Sequence, residues 1–307
     1  MTTDFPPQPS SINVRPAVVT DQAAGIFGFL ADALADGQQC ALVTQVEIIG
    51  GASRALGAHM AVRSDGGYCG YVSGGCIEAA VAHEALEAIA EGRDRVCRFG
   101  KGSPYFDIVL PCGGGISLAI HVLKEADTIK TLFHAMTCRK TTGLCYDPAR
   151  EKLSIQDNPS RTGWQDGVFI SVYRPEPRIF LLGRGIEGQR FMAVASAAGL
   201  SVTSVDADTV RQQTDRETAV VLLTHDIDKE LPVLRAALET DGFYIGCLGS
   251  RRTHARRIEI LGKEGYPPHQ LNRIHGPIGL FGPAREARSV AVSVLAEILS
   301  QAETLRL

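Results

Sequence analysis

Two cysteines in the N-terminal half stand beside glycines. The first closes the run Ser73-Gly74-Gly75-Cys76, directly before a predicted helix that starts at residue 77. A cysteine at a helix N-terminus faces the positive end of the helix dipole and free backbone N–H groups, which favours the thiolate. The second lies in the run Cys112-Gly113-Gly114, where the missing side chains let a bulky ligand approach the sulfur. Two such cysteines in one domain favour a functional role over an inert, buried one.

A glycine-rich turn in the C-terminal half has the spacing of a dinucleotide-binding loop. Gly183, Gly185 and Gly188 form a complete G-x-G-x-x-G between an apolar strand and a helix. Such glycines allow a tight turn, and the helix N-terminus behind them attracts a pyrophosphate. Asp206 follows 23 residues after Gly183, where an acid commonly binds the ribose. The alternative is a turn that needs its glycines only for packing, and we expect Arg184 to intrude and weaken NAD(P) binding.

A second loop follows the strand predicted over residues 243–247. It reads Gly249-Ser250-Arg251-Arg252 and opens a helix, at the end of a parallel strand where ligands bind in open sheets. Serine and arginine there suit a phosphate or a carboxylate. We predict anion binding by this loop and a solvated helix face for Arg256 and Arg257. His225, at the end of the neighbouring strand, is predicted to face the same crevice.

The elements that position these loops differ between the two halves. In the first half, a helix over 21–36 and a helix over 77–91 alternate with predicted strands over 40–49, 58–62, 68–72, 95–99 and 116–123. This pattern predicts an α+β domain over residues 17–174, preceded by a proline-containing flexible arm over residues 1–16. Cys69, Cys97 and Cys247 lie inside apolar strands and are predicted to be core residues.

The second half alternates strands and helices in a regular order. Strands are predicted over 179–182, 201–205, 219–224 and 243–247, and helices over 187–198, 228–239, 252–264 and 284–300. Alternation of this kind predicts a parallel sheet that helices cover on both faces. The chain is therefore predicted to be an α/β protein, with the α+β domain followed by a Rossmann-like, doubly wound domain over residues 175–307.

Composition excludes several classes of protein. The chain has 307 residues, 45% of them hydrophobic, and a formal net charge of -3, which does not fit a general nucleic-acid binder. No apolar run reaches the roughly 18 residues of a membrane span, and no signal peptide is visible. Eight cysteines without a Cys-x-x-Cys pair indicate reduced thiols. We expect a cytoplasmic protein without a nucleic-acid or membrane partner.

Four runs together resemble the XdhC/CoxI family. They are Ser73 to Glu78, Pro111 to Gly114, Gly249 to Arg252 and Pro277 to Leu280, and they occur in the order typical of that family. The resemblance implies an accessory factor for molybdenum hydroxylases such as xanthine dehydrogenase. Such a factor binds the molybdenum cofactor (molybdopterin), protects it while a cysteine desulfurase supplies a sulfido ligand, and delivers it to the apo-enzyme. It implies a chaperone and not an enzyme.

The resemblance also assigns roles to residues. Cys76 and Cys112 would lie near the molybdenum, and the glycine loops would hold the phosphate or the pterin. One alternative is an NAD(P)-dependent oxidoreductase that uses the Rossmann-like domain, although no Tyr-x-x-x-Lys pair is present. Another is a scaffold that only docks the hydroxylase to the desulfurase. The sequence leaves open whether the cofactor is a mononucleotide or a dinucleotide, and whether the chain forms a homodimer.

Overall fold

The computed structural model describes residues 12–103 and 113–306. The chain divides into two compact units, Met1–Pro175 and Glu176–Leu307. We refer to them as the N-terminal unit and the C-terminal unit.

A six-stranded sheet forms the centre of the N-terminal unit. Its strands are β1 (Arg15–Val18), β2 (Cys40–Ile49), β3 (His59–Arg63), β4 (Gly67–Gly70), β5 (Arg95–Gly100) and β6 (Gly115–Val122), in the order β1-β4-β3-β2-β6-β5. Helix α1 (Ala23–Ala35) and helix α2 (Glu78–Glu91) contribute to two separate cores. Leu42 packs in the core of α1, whereas its neighbours Ala41 and Val43 pack in the core of α2. Because side chains alternate along a strand, β2 is buried on both faces from residue 40 to residue 46, and most of its side chains there are apolar.

Strand β1 begins within the last two residues of the predicted flexible arm and continues to Val18. It pairs in parallel with β4 at the edge of the sheet, and the N–H of Arg15 donates to the carbonyl of Gly66 at 3.0 Å. The Arg15 guanidinium also pairs with Asp65 at 3.2 Å. Pro16 has no N–H to donate, which an edge strand tolerates. The prolines of this segment therefore led to the prediction of a flexible arm where a strand begins. Residues 1–11 of the predicted arm lie outside the described part of the chain.

A second, antiparallel sheet belongs to the same unit and was not predicted. Its strands are β7 (Thr142–Asp147), β8 (Lys152–Asp157), β9 (Gly163–Gln165) and β10 (Val168–Tyr173), and helix α3 (Asp127–Thr137) precedes them. Leu144 and Phe169 pack in the same core as α1. The buried Asp94 carboxylate joins the two sheets, because His121 Nδ1 lies 2.7 Å from it and the Tyr146 hydroxyl donates to it at 2.9 Å.

The C-terminal unit is a parallel sheet with a core on each face, as predicted. Strands β11 (Arg178–Leu182), β12 (Ser201–Ser204), β13 (Thr218–Leu222), β14 (Tyr244–Cys247) and β15 (Ile274–His275) run in the order β12-β11-β13-β14-β15. The helices are α4 (Ile186–Ala197), α5 (Ala207–Gln213), α6 (Ile227–Leu238), α7 (Arg251–Lys263), α8 (Pro268–Leu271) and α9 (Ala287–Arg306). The strand order reverses between β11 and β13, and this is where open α/β sheets bind ligands. None of the helices in the described ranges is long and apolar enough to span a membrane.

Candidate functional site

The N-terminal unit brings its glycine-rich loops together at one edge of the six-stranded sheet. β2 and β4 end at this edge, and β6 begins there. The Ser53 hydroxyl, in the loop after β2, donates to the carbonyl of Ser73 in the loop after β4. Gly114 packs so closely on the Gly51 carbonyl that a Cβ would overlap it. The structure thus joins the loop that carries Cys76 to the residues that follow Cys112, while Cys112 itself lies outside the described residues.

A glutamate fills the loop that precedes α2. The carboxylate of Glu78 accepts the N–H of Val72 at 3.0 Å, of Ser73 at 2.8 Å and of Gly75 at 2.9 Å. It also accepts the Ser73 hydroxyl at 2.8 Å. Burial alone would raise the pKa of Glu78, but these hydrogen bonds outweigh it and hold the pKa below its ordinary value. The carboxylate is therefore a built-in anion that fixes the shape of the loop.

This arrangement corrects one premise about Cys76. The sequence predicts free N–H groups beside the thiol, yet the N–H of Cys76 donates to the Ser73 hydroxyl at 3.2 Å and that of Ile77 to Glu78 at 3.2 Å. The positive end of α2 is thus offset by its own glutamate. Cys76 is nevertheless exposed, and a Cβ on Gly75 would meet no atom of the described part of the chain within 4 Å beyond its chain neighbours. The loop presents an accessible thiol beside open backbone.

Burial separates Cys76 from the cysteines predicted to be core residues. Cys69, Cys97 and Cys247 are all buried, which confirms that prediction. Burial raises the pKa of Cys69 to about 11 and of Cys247 to about 12, so these thiols stay protonated at neutral pH. Among the described cysteines, Cys76 and Cys138 are exposed. Cys138 therefore provides a matched comparison for Cys76.

In the C-terminal unit, the three glycines of the turn between β11 and α4 are not equivalent. Gly183 has a φ of +154°, and a Cβ there would overlap the carbonyl of Leu223. A Cβ on Gly188 would overlap the carbonyl of Gly183. These two positions need glycine for close packing, as in dinucleotide-binding turns. Ligand binding by the turn stays a prediction.

The middle glycine is open except for one acidic atom. A Cβ on Gly185 would lie 3.2 Å from Glu187 Oε2 and, within residues 12–103 and 113–306, within 4 Å of no other atom outside its chain neighbours. Arg184 is exposed. The intrusion expected of the Arg184 side chain stays a prediction, and the Glu187 carboxylate lies beside Gly185 as well.

Two further predicted residues flank this turn. The Asp206 carboxylate caps α5, accepting the N–H of Thr209 at 2.9 Å and its hydroxyl at 2.8 Å. These hydrogen bonds lower the pKa of Asp206 and give it a structural role, whether or not it also binds a ribose. His225 is exposed at the end of β13, with Nε2 4.0 Å from Glu187 Oε1. The structure thus brings His225 to the glycine turn, across the point where the strand order reverses.

The loop between β14 and α7 has a different chemical character. Ser250 caps α7 by accepting the N–H of Thr253 at 3.2 Å, and Gly249 has a φ of +138°. Arg251 and Arg252 are exposed in the first turn of α7, which contains no acidic residue. The helices that follow β11, β12 and β13 all carry an acid in their first turn. The β14–α7 loop is therefore the basic one of this sheet edge.

Arg257 is not on a solvated face, and that prediction is wrong. Its side chain is 1% exposed, and Nε donates to Glu230 at 2.6 Å while Nη2 donates to Glu230 at 3.0 Å. Nη2 also donates to the carbonyl of Leu248 at 2.5 Å, directly behind the β14–α7 loop. The helical period gives the missed signal, because Arg257 lies four residues before the buried Leu261. The buried ion pair supports the loop that carries Arg251.

Comparisons with known proteins agree with this architecture. Residues 33–100 match the model of the XdhC and CoxI family, and residues 179–298 match that of the XdhC Rossmann domain. The chain is 46% identical over 286 residues to the molybdenum cofactor insertion chaperone PaoD of Escherichia coli K12, covering 92% of this chain and 90% of the relative. It is 24% identical over 328 residues to a probable xanthine dehydrogenase component of Bacillus subtilis 168, covering 90% of this chain and 97% of that relative.

A solved structure shows the same fold. The crystal structure of a protein described as a xanthine dehydrogenase from Bacillus halodurans superposes with a TM-score of 0.71. The match covers 91% of this chain and 96% of the other, at 20% sequence identity. At that identity the likeness concerns the fold alone.

Proposed function

The chain belongs to the XdhC and CoxI family, and from that premise we propose that it binds the molybdenum cofactor and inserts it into a molybdenum hydroxylase. The observation that carries the proposal is the edge of the N-terminal unit where the exposed Cys76 lies among glycine loops. The 46% identical relative is a molybdenum cofactor insertion chaperone, which supports the same function. In this proposal the chain is a chaperone without turnover of its own.

The chemistry of this edge fits such a cargo. The cofactor is a phosphorylated pterin that carries a soft metal, and thiols are suitable ligands for soft metals. Gly75 and Gly113 have positive φ angles of +111° and +67°, and among the described residues a Cβ on either would meet no atom within 4 Å beyond its chain neighbours. This open backbone leaves space for a large ring system. We propose that Cys76, and Cys112 with it, contact the metal end of the cargo.

The metal is proposed to arrive with its pterin. No group of three or more His, Cys, Asp or Glu side chains suited to a metal ion occurs within residues 12–103 and 113–306. A thiol from the protein would therefore complete a metal site whose other ligands the cofactor supplies. Because Glu78 already occupies the N–H groups of this loop, the loop offers the cargo a thiol and open backbone, not a phosphate site.

Phosphate binding is proposed for the C-terminal unit. The first turn of α7 has a positive dipole end, the cap Ser250, and the exposed Arg251 and Arg252. Arginine recognises phosphate through paired, charge-assisted hydrogen bonds. The Arg257–Glu230 pair behind the loop holds it in place. This loop is thus the best-equipped anion site among the described loops of the unit.

The finer steps of the function follow the family. We propose that the bound cofactor is protected while a cysteine desulfurase supplies its terminal sulfido ligand, and that the apo-hydroxylase then receives it. The described cysteines are free thiols, which suits a reducing compartment such as the cytoplasm. A cofactor awaiting sulfuration needs shielding from oxidants and water.

An oxidoreductase is the second candidate, and the packing of Gly183 and Gly188 favours it. Both glycines allow the tight strand-to-helix turn of nicotinamide-binding folds. Two observations disfavour nicotinamide binding. The Glu187 carboxylate lies beside Gly185, and the Asp206 carboxylate already accepts a hydrogen bond from Thr209. Anaerobic purification separates the two candidates, because a bound pterin and a bound nicotinamide differ in absorbance.

The proposal is tested by the molybdenum and pterin that co-purify with the protein. We expect Cys76→Ala and Cys112→Ala each to retain about ten-fold less cofactor than the unmodified chain, because each removes a sulfur contact to the metal. Cys138→Ala removes another exposed thiol and serves as the control. Equal retention by all three variants would show that the thiols have no part in binding.

A further inference from the structure

The approach to the glycine turn of the C-terminal unit is occupied by a negative charge. In dinucleotide-binding turns the middle glycine has no side chain so that the pyrophosphate can lie against the backbone. Here the middle glycine is Gly185, and a Cβ on it would lie 3.2 Å from Glu187 Oε2. The carboxylate oxygen is thus in the space through which a pyrophosphate would contact this turn.

The charge of Glu187 is not strongly compensated. Its imidazole neighbour, His225, is 4.0 Å away and 75% exposed, which is beyond hydrogen-bond distance. The Glu187 side chain is only 26% exposed, so water screens it incompletely. Arg184 is exposed, and its carbonyl accepts the Gln189 amide at 3.5 Å. The turn therefore presents a partly desolvated carboxylate at a helix N-terminus that would otherwise attract anions.

We propose that Glu187 is a specificity-determining residue that excludes ligands containing a pyrophosphate, such as dinucleotides and nucleoside diphosphates, from this turn. Gly183 and Gly188 keep the turn in its dinucleotide-binding shape for packing reasons, while Glu187 prevents its use for that purpose. Anions are thereby left to the basic β14–α7 loop. This proposal does not rest on molybdenum cofactor binding.

Removal of the charge tests the proposal as a gain of binding. We expect Glu187→Gln to bind ADP and inorganic pyrophosphate about ten-fold more tightly than the unmodified chain, equal to ~1.4 kcal/mol. Adenosine, which carries no phosphate, should show no gain. Isothermal titration calorimetry on the full chain measures all three affinities.

Two control variants locate the effect. Asp208→Asn removes an acid from the first turn of the neighbouring α5, so it changes the net charge equally without touching the turn. We expect it to gain nothing. In the double variant Glu187→Gln/Gly185→Ala, the added methyl group lies where the phosphate must approach, and the gain should be lost. Gly185 has a φ of -73°, so alanine fits its backbone.

The proposal is overturned if Glu187→Gln gains no affinity, if Asp208→Asn gains as much, or if the gain survives Gly185→Ala. Micromolar binding of ADP by the unmodified chain would also overturn it. Each of these outcomes leaves molybdenum retention untouched, since retention is measured separately on the Cys76 and Cys112 variants.

Discussion

Two loops of this chain have the same design and use a glutamate in opposite ways. Each is glycine-rich, leads from a strand into a helix, and places an acid in the first turn of that helix. Glu78 is 2% exposed and accepts hydrogen bonds from four residues that precede it in its own loop. Glu187 is 26% exposed and stands beside Gly185 with an imidazole 4.0 Å away.

The position of an acid in the chain therefore does not determine its role. Glu78 is the first residue of α2 and turns back over the preceding loop, where backbone N–H groups converge on it. Glu187 is the second residue of α4, and its carboxylate lies outside a turn that close packing already holds. One carboxylate shapes its loop, whereas the other controls what may approach.

The sharpest test of this contrast is Glu78→Ala. It leaves the N–H groups of Val72, Ser73 and Gly75 without this acceptor, and a group that stays out of water in that state costs about 1–3 kcal/mol. We expect the free energy of unfolding to fall by about 3 kcal/mol in urea denaturation, with loss of cofactor retention. Glu78→Gln, which keeps one acceptor oxygen, should recover part of both. If Glu78→Ala leaves the free energy of unfolding unchanged, Glu78 does not stabilise its loop, and the contrast with Glu187 is lost.

The basic β14–α7 loop extends the comparison to a helix without an acid in its first turn. Arg251→Ala removes the proposed contact to the cofactor phosphate, and a charge-assisted contact of this type contributes about 1.5–3 kcal/mol, roughly ten- to a hundred-fold in affinity. We expect weaker retention of cofactor at unchanged thermal stability, because Arg251 is exposed. Arg256→Ala on the same helix is the control. If only delivery to the apo-hydroxylase fails, the loop is a docking surface and not a phosphate site.

The pH dependence of stability separates the glutamates further. The folded-state pKa of Glu78 lies below its ordinary value of 4.5, so its contribution is present above that value and is lost as pH falls through the folded pKa. We expect acid to destabilise the unmodified chain more than Glu78→Gln below about pH 5. Denaturant melts at about pH 7 and about pH 3.5 give the difference. If the two proteins lose the same free energy of unfolding between these pH values, the pKa of Glu78 does not change on folding.

The smallest expected effect is that of Glu187→Ala on stability. A partly exposed side chain outside a hydrogen-bond network changes the free energy of unfolding by no more than about 0.5 kcal/mol. Thermal melts of this variant beside Glu78→Ala measure the contrast directly. A loss as large as that of Glu78→Ala would mean that Glu187 also holds its loop together.

Local periodicity predicted the elements that position these loops. The bounds of β2 and the parallel sheet of the C-terminal unit are as predicted, because apolar runs and strand–helix alternation are local signals. β1 was not predicted because its segment contains prolines. The short strands β7 to β10 contain polar residues and lack a clear hydrophobic pattern, so they were not predicted either. Local signals are weakest for short edge strands, whose partners lie far away in the chain.

Partnerships between distant residues account for the rest. The residues next to Arg257 in the sequence do not indicate that it pairs with Glu230, which lies 27 positions earlier. The acids at positions 78 and 187 were visible in the sequence, but their surroundings were not. Composition around a residue therefore predicted a basic face where the fold buries an ion pair.

The carboxylate of Asp94, which joins the two sheets of the N-terminal unit, has a consequence for cooperativity. It accepts the N–H of Val122 at 3.0 Å as well as the Tyr146 hydroxyl, so neither sheet can open without exposing an ionised group. Segments tied in this way exchange their amide hydrogens together, through one shared opening reaction. We therefore expect β6 and β7, from different sheets, to open as one unit, so that protection of the Val122 amide reports on both.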